Sequence, residues 1–200
     1  DTNSIMVDQY PKPYTTASPV LVNFDSAEVA NGLSYEDYYL IESEDSGGKD
    51  YHLTPNRDFG NNDGILTKAG GSLDYDYDLS PFVIPRTING LVRISIPIYV
   101  NDGSSIIVAV SIYKWDGSSE TQLGSTASET KAISNAKMVY MMIDIDNELI
   151  PAGETLRARV VFTHAAGSTA RMGIDPAGRT DASLSITTTS KISVPYKNDL

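Results

Sequence analysis

Aspartate recurs at every second position in Leu73-Asp74-Tyr75-Asp76-Tyr77-Asp78-Leu79. In an extended chain, residues two apart share a face. Asp74, Asp76 and Asp78 therefore line one side, with Tyr75 and Tyr77 on the other. Carboxylates so close repel one another unless a cation or solvent screens them. A hard cation such as Ca²⁺ takes about six to eight oxygens, and neighbouring carbonyls would complete the set. The competing reading is an exposed acidic face that discourages edge pairing.

Aromatic residues offer a second chemistry. Tyr113 and Trp115, with Tyr75 and Tyr77, have the flat faces that stack on sugars, or else fill a core or a subunit interface with their polar tips satisfied. Other constellations fail on inspection. Asp58 to Gly64 reads DFGNNDG, but counted as a calcium loop it puts Phe59 in the first ligand place and Gly70 in the twelfth. Asp144, Asp146 and Glu148 alternate at a strand end, where they could ligate an ion together, though a solvated face is the favoured reading. Nothing singles out the facing carboxylate pair of a glycosidase. No G-x-S-x-G elbow, phosphate-binding loop or G-x-G-x-x-G is present. The two histidines read as structural, His52 within a strand and His164 at a strand end. No catalytic residue is assigned, and the chain is expected not to be an enzyme.

The elements that position these residues are short and extended. Tyr38 to Ile41, Tyr51 to Thr54, Leu91 to Val100, Ile106 to Lys114, Lys137 to Ile145 and Thr155 to Thr163 read as strands, bounded by Gly-, Asn- and Pro-rich turns. Val20 to Phe24, Arg171 to Pro176, Leu184 to Thr188 and Ile192 to Val194 read as shorter ones. Asn56 to Gly71 reads as a long polar loop. Pro97 lacks a ladder donor and predicts an edge strand or a bulge. No window carries a capped helical stripe, so the fold class is all-β, a sandwich or barrel. At the N-terminus, Tyr10, Pro11, Pro13 and Tyr14 begin a proline-rich stretch that should be extended. The expected division is an arm over 1–19 and a β-sandwich over 20–200. The arm is either a tail or a segment that orders on a neighbouring subunit.

Composition narrows the partners. The chain has 200 residues, no cysteine and a net charge of −11. Disulfides, thiolate chemistry and cysteine-ligated metals are excluded. An acidic surface repels phosphate backbones and anionic membranes, so neither nucleic acid nor membrane is an expected partner. No apolar run is long enough to span a bilayer as a helix. The first ten residues lack the basic and apolar regions of a signal peptide.

The stretch from Leu91 to Pro176 carries a further signal. It runs LVRISIPIYV, then IIVAVSIYKWDGSSETQLGS, then MVYMMIDI, a corner ELIPAGETLRARVVF, and GIDPAG. This cadence resembles jelly-roll segments of structural proteins of tailed viruses, and also extracellular carbohydrate-binding and adhesin modules. The first resemblance implies a jelly-roll head decoration protein on the capsid exterior. Its partners would be the major capsid protein and further copies of itself, as a homotrimer whose arms reach their neighbours. It implies no cofactor; Ca²⁺ at the aspartate row would accompany the second resemblance. The second implies sugar stacking at Trp115 and Tyr113. A third possibility is a filament subunit joined by strand addition.

Overall fold

The computed structural model describes residues 33–45, 48–57, 65–101, 105–132, 135–178 and 187–197. Among them lie nine strands and no helix. They are β1 (Leu33–Asp45), β2 (Gly48–Thr54), β3 (Ile65–Asp78), β4 (Arg86–Val100), β5 (Ser105–Trp115), β6 (Glu120–Ala132), β7 (Lys137–Ile150), β8 (Thr155–Gly173) and β9 (Lys191–Lys197). The arm residues Tyr10, Pro11, Pro13 and Tyr14, the Val20 to Phe24 run and the Asp58 to Gly64 turn lie outside the described residues.

The strands form one curled mixed sheet in the order β6-β5-β8-β3-β2-β1-β9-β4-β7, with β8 also pairing β4. The curl wraps a single apolar core, as in a β-sandwich of the jelly-roll kind. Alternation decides which side chains enter it. In β7, Val139, Met141, Ile143 and Ile145 are buried, while Tyr140, Met142, Asp144 and Asp146 face out. That period of two rules out a helix over the methionine-rich run.

Several boundaries differ from the sequence reading, for identifiable reasons. β3 begins at Ile65, inside the expected loop, because its first half pairs with the far end of β8. β8 is one long strand rather than two short ones. It carries an irregularity opposite Ala69 and Gly71, where the Ser168 hydroxyl donates to the Ala165 carbonyl at 2.7 Å. β6 has no apolar pattern and escaped the reading: Leu123 is its one buried large side chain, as suits a strand with a polar outer face. Pro97 is neither on an edge nor at a bulge. β4 pairs β7 along one side, and on the other it passes from β9, up to Ser95, to β8, from Ile98. The proline sits at that handover, where its missing N–H interrupts no ladder on the changing side.

Gly124 closes one corner of the curl. Its φ is +67°, and a Cβ there would lie 2.5 Å from the Asp144 carbonyl oxygen and 2.8 Å from Ile143 Cγ2. Only a residue without a side chain lets β6 lie that close to β7.

Candidate functional site

The aspartate row sits on the outer face of β3, as alternation requires, with Leu73 and Tyr77 buried beneath it. β8 runs antiparallel beside it, and register puts Asp76 opposite Arg159 and Asp78 opposite Arg157. Directly opposed residues share a face. Each arginine therefore meets an aspartate fork to fork. Arg157 donates from Nε and Nη2 to Asp78 at 2.6 and 2.7 Å, and Arg159 donates likewise to Asp76 at 2.7 and 3.1 Å. Glu120, from the start of β6, accepts from both guanidiniums, at 3.0 Å from Arg159. Asp74 is the outlying member, 3.7 Å from Arg159 and mostly exposed.

The positive charge facing these carboxylates is thus supplied by the chain itself. The hydrogen bonds they donate to Asp78 and Asp76 hold the two guanidiniums further above their ordinary range, so both remain cations at any pH the fold meets. Among the described residues, no group of three or more acidic or histidine side chains is arranged to hold a metal.

The same guanidiniums cover the aromatic pair. Arg157 lies 4.1 Å above the Trp115 ring and Arg159 lies 4.9 Å above Tyr113. Such stacking is worth about 0.5–1 kcal/mol at exposed sites. The four rings do not form one platform. Tyr113 and Trp115 are on the outer face, while Tyr75 and Tyr77 point inward and pack on Tyr51, with centroids 4.1 and 5.4 Å away. Arg157, Arg159 and Glu120 were not singled out as site residues. The alternation of Leu156, Arg157, Ala158 and Arg159 hinted at the cations, but no local pattern reveals a register made between β3 and β8.

The remaining candidates are separate. His52 Nε2 lies 2.9 Å from Ser43 Oγ. His164 is inside β8 rather than at its end. It follows Phe162 on the buried side, with Nδ1 3.1 Å from Ser168 Oγ and Nε2 without a hydrogen-bond partner. Asp144 and Asp146 are exposed, and Glu148 lies 3.5 Å from Lys114.

Two features gather at the end of the molecule where β2, β3 and β5 finish and β8 begins. One is a groove of about 440 Å³. β2 and β3 meet there through a single parallel pair, His52 with Asp78, and then part. Its lining includes Trp115 and Thr155 together with Leu79, Ser80 and Pro81. The second feature is the segment between β3 and β4, Ser80-Pro81-Phe82-Val83-Ile84-Pro85. Phe82 fixes it: its N–H donates to the Glu154 carbonyl at 2.9 Å, its carbonyl accepts from Gly153 at 2.8 Å, and its ring meets Tyr196 edge-on. Beyond this anchor Val83 is 91% and Ile84 62% exposed. The sequence reading passed over this pair.

No family model matches the chain, and no curated protein matches its sequence. Among solved structures, it is similar to a CocE/NonD family hydrolase from Staphylococcus aureus, at 11% identity over 82% of this chain and 37% of that one, with a TM-score of 0.55. A second crystal structure of that protein gives 12% identity and the same TM-score. Carbohydrate-binding modules of a β-sandwich superfamily also match, at 10% identity over 72% of this chain and 56% of that one, with a TM-score of 0.35. This chain spans well under half the length of the hydrolase, and the likeness to it is one of fold.

Proposed function

We propose that this chain is a non-enzymatic structural module of a tailed virus, a head decoration protein seated on the outside of the shell. The observation that carries the reading is the Pro81–Pro85 segment. Two large apolar side chains stand in solvent on a backbone pinned by hydrogen bonds and bracketed by prolines. Burying both in a partner would contribute about 3–6 kcal/mol before the costs of association, with little backbone left to order. The committed charges support the same reading. Asp76, Asp78 and Glu120 are engaged by arginines, which suits a face that braces the sheet. The jelly-roll cadence of Leu91 to Pro176 supports it further. In this reading the partner is the major capsid protein, and further copies form a trimer through the arm.

The flat-platform form of the sugar-binding alternative is less favoured, because the guanidiniums already cover Tyr113 and Trp115. The test is sedimentation of the chain with undecorated shells. Val83→Asp with Ile84→Asp should abolish co-sedimentation while leaving the urea midpoint within error, and deletion of 1–18 should weaken it. Full binding by the double aspartate variant would remove this segment from the mechanism.

A further inference from the structure

We infer that the groove beside Trp115 is a binding site for a short neutral saccharide. The inference goes beyond the structural reading above and stands without it, since a module fixed to a shell and a free one present the same groove. Its volume, about 440 Å³, lies in the range of about 300–1,000 Å³ that small-ligand sites occupy.

The lining is divided in the way a pyranose is divided. Sugars present a face of C–H bonds and a rim of hydroxyls. Here Trp115, Leu53, Leu79 and Pro81 bring apolar side chains to the lining, while His52, Thr54, Asp78, Ser80 and Thr155 bring hydrogen-bonding groups. Arg157 stacks on the indole and is not among the lining residues, whereas Trp115 itself lines the groove.

The polar groups are held in place before any ligand arrives. The Arg157 fork fixes Asp78, whose oxygens keep further lone pairs to accept sugar hydroxyls. The contact with Ser43 orients the His52 ring through Nε2. Thr54 Oγ1 accepts from the Asn56 N–H at 3.1 Å, which leaves its hydroxyl proton to donate. Preorganisation of this kind reduces the entropy lost on binding.

Charge selects the class. No lysine or arginine is among the described residues that line the groove, and its carboxylate, Asp78, already takes the Arg157 fork, so the lining offers an acidic sugar no cation of its own to pair with, while neutral sugars need none.

Trp115 is the only tryptophan in the chain, so intrinsic fluorescence reports on this groove directly. The experiment titrates the full chain with neutral cello-, xylo-, manno-, galacto- and N-acetylglucosamine oligosaccharides, and with sialyllactose and oligogalacturonate. A saturable change with at least one neutral series is expected. Calorimetry on Ser80→Phe, which fills the groove from an exposed position, should show affinity reduced about tenfold or more, with the urea midpoint unchanged. Val83→Asp should bind sugar like the parent, which separates failure here from failure of the shell-binding reading. Silence with every neutral series at millimolar concentration would overturn the inference. So would binding confined to the acidic sugars, or binding that Ser80→Phe leaves intact.

Discussion

Arg157 is held on several sides at once. Asp78 takes its fork, Glu120 a second edge, and Trp115 its flat face, so only 11% of its side chain remains exposed. Removing it leaves Asp76, Asp78 and Glu120 facing one another without that cation, and uncovers the indole. Breaking a buried pair costs about 3–5 kcal/mol, and the partial exposure of these partners lowers that to about 2–3. Arg157→Ala is therefore expected to lose about 2–3 kcal/mol in urea unfolding, and Arg157→Lys to recover little of it, because an ammonium lacks the fork. A cycle with Asp78→Asn should give a coupling of about 1 kcal/mol or more. Strict additivity would mean that the pair acts independently. At this scale the sequence was half legible. Alternation put the aspartates on one face and the arginines on another strand's outward face. What brings them together is a hydrogen-bonded register between positions 79 and 83 residues apart, which no local spacing encodes.

Elements follow the same logic. β4, β5 and β7 announce themselves because one face is apolar and the other polar. β6 does not, since outside Leu123 its positions are filled by polar and small residues, threonine, serine and glutamate foremost. Its place is set instead by its neighbours, β5 along one side and β7 at Gly124. Gly124→Ala would force a methyl against the Asp144 carbonyl and require an L-residue at φ +67°. The expected loss is about 2–4 kcal/mol, combining overpacking with backbone strain. Gly153→Ala separates the two contributions, because its Cβ would meet nothing within 4 Å and only its φ of +87° is unfavourable. Equal urea midpoints for the two variants would mean that the β6–β7 approach is not tight. β8 was misread as two strands for a related reason. Its middle, His164 to Ser168, departs from simple alternation where the register shifts, and a periodicity reading stops there.

Across the whole molecule, tyrosines tie the curl together and set its response to alkali. Burial, above all, pushes the Tyr38, Tyr77 and Tyr196 hydroxyls above their ordinary value of 10.0. Tyr38 is further raised by its hydrogen-bonded neighbours Tyr196 and Glu36. The folded chain then keeps three protons that the unfolded chain releases above pH 10. By linkage, stability from these groups is fully present below that pH and falls as pH rises past it, by about 1.4 kcal/mol per pH unit for each tyrosine. Urea stability should decline steeply between about pH 10 and pH 11, and phenolate absorbance from these three should appear together with unfolding. A stability flat across that interval would show that they ionise in place. None of this order was readable in the chain, because strand sequence does not specify which edges meet. The apolar runs Tyr38 to Ile41 and Ile192 to Val194 were visible as strands, yet nothing in either says that β1 lies beside β9.

That adjacency has a mechanical corollary. Leu33, where β1 begins, lies opposite Lys197, where β9 ends. Tension applied at Leu33 and Lys197 would enter the ladder at this one rung and peel it rung by rung, as a zipper opens, instead of loading every rung together in shear. A ladder loaded at these two residues yields at low force, and one that must withstand load has to be gripped elsewhere on its surface.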